Sequence, residues 1–339
     1  MKIIITGGAG FLGNRLARAI LDSGSIAVDG AAPAPVEQVV LLDRVELGAD
    51  QLGDPRLRSV AVDLATATAA ELAALGVFTG AAAVFHLAAA VSADCEADFD
   101  LGINANLRGG QAVLEACRAA GNRPVLVFAS SLAVFGGWPD QPLPAVITDT
   151  TLPTPRSSYG IQKFIMEQLV SDYTRKGFLN GRTVRLMTVS VRPGRPNGAA
   201  SGFLSGIIRE PLAGLPTTCP VPAGLEVALS SPEASVEGLL TAAGTAEPVW
   251  GSPVAVNLPA LTTTVGGMVD ALAEVAGEAA TKLISWVPDE RIAALVGSWP
   301  ARFDTARADR LGLRAEPDYG TVVRRYRQAY GAAATGARP

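Results

Sequence analysis

Tyr159 and Lys163 stand four residues apart in the run Ser157-Ser158-Tyr159-Gly160-Ile161-Gln162-Lys163. Residues i and i+4 share one face of a helix, so a phenol and an ammonium group would project together. A free tyrosine titrates near about 10 and is a weak base at neutral pH. A neighbouring ammonium favours the phenolate. Such a pair can take the proton of a substrate hydroxyl while a hydride leaves the same carbon. Ser131, closing the run Pro124-Val125-Leu126-Val127-Phe128-Ala129-Ser130-Ser131, would hydrogen-bond that hydroxyl and the developing carbonyl. Positioned groups of this kind contribute about 10²–10⁴-fold each. The scheme needs neither metal nor imidazole. The chain has one histidine, His86, inside an apolar run, where packed core is the expected role.

These residues need a scaffold and a hydride acceptor. Lys2–Thr6 is an apolar run without polar alternation, as in a strand buried on both faces. It stops at Thr6-Gly7-Gly8-Ala9-Gly10-Phe11-Leu12-Gly13, and Leu16, Ala17, Ile20 and Leu21 follow at helical spacing. Strand, glycine turn and helix aim backbone N–H groups and a positive helix end at one spot, which suits a pyrophosphate. The Gly7/Gly10/Gly13 spacing departs from the usual dinucleotide fingerprint.

A second apolar run, Val39–Leu42, ends at Asp43-Arg44. An acid there accepts from an adenosine ribose hydroxyl and repels a 2′-phosphate, which favours NAD over NADP. Arg44 is the group that would welcome that phosphate. The segment between, Ser23–Pro35, reads as a surface loop. Further strands are expected at Ser59–Val62, Ala82–Ala89, Pro124–Ala129 and Thr183–Val189. Asp63 follows the third strand and either meets an adenine amino group or caps the next helix. A long helix is expected over Phe99–Ala120, and another from Ser157 or Ser158 to about Lys176, with Ile161, Ile165, Leu169 and Tyr173 as its apolar stripe. The alternation makes this an α/β chain, with a Rossmann doubly wound parallel sheet and a smaller C-terminal substrate lobe. The expected nucleotide domain covers 1–194, with a return at about 230–275; the lobe covers 195–229 and 276–331.

Composition narrows the partners. With 49% hydrophobic and 18% charged residues the chain can bury a core, and a net charge of −4 without basic runs argues against nucleic acid. Cys95, Cys117 and Cys219 lack metal-ligand spacing, so no metal site is expected and reduced thiols in a cytoplasmic protein are the simple reading. Neither a signal peptide nor an apolar run of about 18 residues is seen, so a membrane partner is not expected.

Taken together, Thr6–Gly13, Asp63-Leu64, His86-Leu87-Ala88-Ala89, Asn106 with Gly109, Ser130–Gly136, Tyr159-x-x-x-Lys163 and Asp304–Leu311 resemble the extended short-chain dehydrogenase/reductase group, the NAD-dependent epimerase/dehydratase family. The glycine spacing is that family's own pattern. The resemblance implies NAD contacts at Gly7, Gly10, Phe11, Leu12, Gly13, Asp43, Arg44, Asp63, Leu64, Leu87, Ala88, Ala89, Asn106, Tyr159, Lys163 and Pro193. It also implies a homodimer formed through the helices that carry Asn106 and Tyr159. Ser190–Asn197 and the following run to Gly214 are similar to dehydrogenases that oxidise the C2 hydroxyl of a four-carbon sugar acid such as D-erythronate. A carboxylate substrate would call for arginine, for which Arg192 and Arg195 are candidates. Ser92, in the loop after the fourth strand, would reach substrate hydroxyls beside Ser131 and Tyr159. The alternative within the family is a nucleotide-sugar epimerase or dehydratase that keeps NAD bound.

Overall fold

The computed structural model describes residues 1–47, 53–194 and 199–331. The chain divides into two units. One comprises 1–131, 158–185 and 236–256, and the other comprises 132–157, 186–235 and the chain from 257. The 132–157 segment, expected inside the nucleotide domain, belongs to the second unit. There Leu132 is buried with Met187 and Ala228, against Trp299 and Phe303.

The first unit is built on a sheet of seven strands: β1 (Lys2–Thr6), β2 (Gln38–Asp43), β3 (Leu57–Ala61), β4 (Ala81–His86), β5 (Val125–Ser131), β6 (Asn180–Leu186) and β7 (Val256–Asn257). Their order across the sheet is β7-β6-β5-β4-β1-β2-β3. β1 runs parallel to β2 and β4, β2 to β3, and β4 to β5. Ile3, Ile4 and Ile5 have no exposed surface, which explains their lack of alternation; burying each is worth about 1.5–3 kcal/mol. The register pairs Thr6 with Leu42 and His86, and His86 with Phe128. Gly7, Asp43, Leu87 and Ser131 therefore emerge at one edge, the carboxyl end where α/β sheets bind ligands.

Helices connect the strands: α1 (Phe11–Ser23), α2 (Ala69–Ala74), α3 (Ser92–Ala97), α4 (Phe99–Gly102), α5 (Gly109–Ala120) and α6 (Ser158–Arg175). The long helix expected over Phe99–Ala120 carries a π-helical segment, Ile103–Arg108, between α4 and α5. Two asparagines fall there and the glycine pair Gly109-Gly110 follows directly, residues with weak helical preference. Ser23–Pro35 is no plain loop: Ser25–Ile26 and Ala34–Pro35 pair antiparallel, and Ile26 and Val36 are buried. Thr68, not Asp63, caps α2, in a capping box with Glu71.

The expected strand Thr183–Val189 serves two sheets. Its first part completes β6, and Thr188–Val189 then pairs parallel with Glu226–Ser230, which also pairs antiparallel with Leu261–Thr264. These short strands belong to the second unit, whose core gathers Val191, Leu204, Ile208, Met268, Leu272 and Val323. Among the described residues no helix is long and apolar enough to cross a membrane.

Candidate active site

Helix α6 begins where Ser158 N donates to Glu96 Oε1, 2.7 Å away on α3. The carboxylate accepts at the start of the helix and complements the helix dipole. Tyr159 is the second residue of the helix and Lys163 follows one turn later. The buried face of α6 is unusual: it carries Gly160, Gln162, Lys163, Met166, Glu167 and Val170. Ile161 and Ile165, expected to line the apolar stripe, are instead 46% and 41% exposed. The polar side chains can turn inward because each meets a partner there.

Lys163 is 3% exposed. Its Nζ donates to the carbonyl of Ala129 at 2.8 Å. It lies 4.8 Å from the ring centre of Phe128 and 5.6 Å from that of Tyr159. Burial pulls its proton affinity down to about 8, while the neighbouring Cys95 and Glu167 act to raise it. Ala129 lies on β5 two residues before Ser131, so one strand end holds both the lysine anchor and the serine. His86 lies one strand away, 1% exposed, its ring stacked on Phe128 with Nδ1 2.7 Å from Thr6 Oγ1. Burial first, and the charge of Lys163 second, hold it down to about 3. It is a neutral packing residue, as its position in an apolar run suggested.

Two further side chains complete the buried face of α6, and neither was singled out from the sequence. Glu167, one turn after Lys163, accepts from Arg185 Nε at 2.9 Å and Nη2 at 2.7 Å, and from Ser130 Oγ at 2.5 Å. All three side chains are buried. The available signal was an arginine inside a strand and a glutamate i+4 from the lysine. Gln162 Oε1 accepts from Asn106 Nδ2 at 2.7 Å. Asn106 in turn accepts from Ala90 N at 2.8 Å and donates to Ala90 O at 3.2 Å. The Asn106 side chain thus holds the turn after β4 against α6.

The residues expected to hold a dinucleotide gather at the carboxyl edge of β1, β2 and β4. Gly7 has φ +69°, where a Cβ would stand 2.8 Å from Ala88 N. Gly13 faces the Gly7 carbonyl with no room for a side chain. Gly10 precedes α1, and no side chain caps that helix, so Phe11, Leu12 and Gly13 form a first turn left open for an anion. Asp43 ends β2, and its Oδ2 accepts from Ala9 N at 3.1 Å, which ties the acid to the glycine turn. Arg44 beside it is exposed. Asp63 Oδ1 accepts from Ala65 N in a tight turn, and Leu64 packs into the core beside Gly109. Leu87, Ala88 and Ala89 follow β4, with Ala88 N donating to Thr6 Oγ1 at 3.2 Å. This uncapped glycine turn with an acid at the next strand end fits the diphosphate and ribose of a dinucleotide. Among the described residues no cluster of ligating side chains could hold a metal ion.

The substrate candidates are less gathered. Ser92 is not in an open loop: it opens α3 and is 5% exposed. Arg192 and Pro193 lie in the second unit. Arg192 N donates to Ser205 Oγ at 3.0 Å and its carbonyl accepts from Arg209 Nη1 at 2.8 Å, so the backbone of this stretch is pinned. Arg195 lies outside the described residues.

Residues 3–225 match the model of the NAD dependent epimerase/dehydratase family. A D-erythronate dehydrogenase of Cupriavidus necator is 45% identical over 333 residues, covering 98% of this chain and all of that protein. One from Haemophilus influenzae is 39% identical over 326 residues, with 96% and 98% coverage. Among solved structures, one described as a nucleoside-diphosphate-sugar epimerase from Agrobacterium tumefaciens superposes with a TM-score of 0.87 at 38% identity, covering 97% of this chain and 94% of that one.

Proposed function

Since the chain belongs to the NAD dependent epimerase/dehydratase family and is an NAD-dependent oxidoreductase, we propose that it oxidises the C2 hydroxyl of a small sugar acid such as D-erythronate to the 2-oxo acid. The near-full-length likeness to two D-erythronate dehydrogenases carries the choice of substrate. NAD supplies a hydride acceptor when bound. Gly7, Gly10 and the first turn of α1 would hold its diphosphate, and Asp43 its adenosine ribose. The turn at Leu87–Ala89, braced by Asn106, would line the rest, with Asp63, Leu64 and Pro193 as further contacts.

In this reading Tyr159 Oη takes the proton of the C2 hydroxyl as the C–H bond breaks, leaving a carbonyl. Ser131 Oγ donates to the substrate oxygen and keeps it directed at Tyr159. Lys163 supplies the charge that favours the phenolate. The Ala129 carbonyl and the Phe128 ring hold that ammonium in place. Arg192 is the cation for the substrate carboxylate, and Arg195 is a second candidate. The exposed Phe99, Ile161 and Ile165 support a homodimer through the helices that carry them.

NADH formation on D-erythronate and its stereoisomers tests this reading. Tyr159→Phe is expected to lose about 10²–10⁴-fold in kcat while still binding NADH. Arg192→Met is expected to raise KM for the acid more than it lowers kcat. The likeness to a structure described as a sugar-nucleotide epimerase favours a second reading. Turnover of a UDP-sugar, with no NADH from any aldonate, would replace the first with the second.

A further inference from the structure

Glu167 and Arg185 are two oppositely charged side chains with almost no exposed surface, on α6 and β6. Core positions rarely hold such groups, because water solvates each charge better than the interior does. Their location narrows the reason. Glu167 is one turn beyond Lys163, as Lys163 is one turn beyond Tyr159, so the three share a face of α6. Its Oε1 also receives Ser130 Oγ at 2.5 Å, and Ser130 sits between Ala129, which accepts from Lys163, and Ser131. The pair therefore grips both the strand end and the helix that bear the proposed catalytic groups.

We propose that Glu167 and Arg185 are positioning residues that hold β5 and α6 in catalytic alignment and set the charge balance around Lys163 and Tyr159. The proposal rests on the reading of Tyr159 as the base. Among the described residues, the titratable and charged groups around Lys163 and Tyr159 are few. Tyr159 and Glu167 come from α6, Cys95 and Glu96 from α3, His86 from β4, and Arg185 from β6 through Glu167. Burial holds His86 neutral, and it pushes the Cys95 thiol up to about 11. Glu167 is the carboxylate that acts on Lys163, and Arg185 cancels it; Glu96 at the start of α6 is the same in every variant compared below. Removing the carboxylate leaves a net positive charge, which favours phenolate at Tyr159 and disfavours ammonium at Lys163. Removing both charges restores the balance.

The test compares wild type, Glu167→Gln and the double variant Glu167→Gln/Arg185→Gln. Glutamine keeps an acceptor for Ser130 in both. Glu167→Gln is expected to lower kcat by about 10- to 100-fold through misalignment and to shift the acidic limb of its pH profile down by about half a unit or more. The double variant, neutral like wild type, is expected to return the limb and serves also if the single variant does not fold. Ultraviolet difference titration of the tyrosinate, with Tyr159→Phe as the blank, reads the same shift without substrate. An unmoved limb and an unmoved tyrosinate titration in Glu167→Gln, with only a lower melting temperature, would make the pair purely structural and overturn the proposal. So would a double variant that stays shifted. A shifted tyrosinate titration in a protein that oxidises no sugar acid would uphold the pair and sink the substrate reading.

Discussion

Strand β6 buries two arginines three residues apart, and the two ends of the strand use them differently. An odd separation puts Arg182 and Arg185 on opposite faces. Arg185 meets a carboxylate as buried as itself, through two hydrogen bonds. Arg182, 1% exposed, reaches Asn180 and meets Asp29 at 3.1 Å, whose side chain is 38% exposed, and lies over the Trp250 ring. Arg182 Nε, Asn180 Nδ2 and Thr183 Oγ1 make no hydrogen bond among the described residues. Near the proposed chemistry the buried charge is fully answered. At the far end it is partly answered and pins the Ser25–Pro35 hairpin through Asp29, which also accepts from Glu247 N at 2.7 Å. A buried charge can therefore serve alignment in one place and anchorage in another, and its partner's exposure shows which.

That contrast can be broken by substitution. Arg185→Met strands the Glu167 carboxylate in the interior and is expected to cost about 3–5 kcal/mol, read by urea unfolding. Arg182→Met leaves Asp29 free to rehydrate, so a loss of about 1–3 kcal/mol is expected, with NADH formation per folded molecule unchanged. Equal losses, or a fall in turnover for Arg182→Met, would erase the distinction.

Acid should act on the end that holds Lys163. The folded value of His86, about 3, lies below its ordinary value of 6.5, so the unfolded chain takes up a proton that the folded one refuses. Stability contributed by neutral His86 is present above about 6.5 and declines as pH falls toward 3, by up to about 1.4 kcal/mol per pH unit. Urea midpoints at neutral and mildly acid pH check this, and His86→Asn should flatten the slope. The smallest effect is expected for Asp29→Asn, about 0–1 kcal/mol, because that partner is already hydrated. A larger loss in the same unfolding assay would mean the hairpin depends on the charge.

How far the site was legible depended on the range of the contacts. Tyr159 with Lys163 was readable because helical periodicity alone brings them together. The glycine turn and Asp43 were readable because each closes an apolar strand. Ser92 misled: a serine after a strand looks like a loop residue, yet it opens α3 and is buried. The stripe on α6 misled for the opposite reason, since Ile161 and Ile165 face outward while Gln162, Lys163 and Glu167 face inward. Amphipathic pattern assigns apolar residues to the core, and it fails where polar side chains find buried partners. Glu167 and Arg185 are 18 residues apart in the chain, and no local rule joins them.

Order of elements, the parallel sheet, the glycine turn and the tyrosine–lysine pair all follow from patterns within about one helix or strand, because backbone periodicity acts over that distance. The tertiary structure decided which face of α6 turns inward, that Glu96 accepts from its first N–H, and that Asn106 braces the turn after β4. It decided, too, that one strand carries two buried arginines with different partners. Those outcomes depend on side chains meeting across elements, and solvation makes a charge tolerable in the interior only where such a partner is supplied.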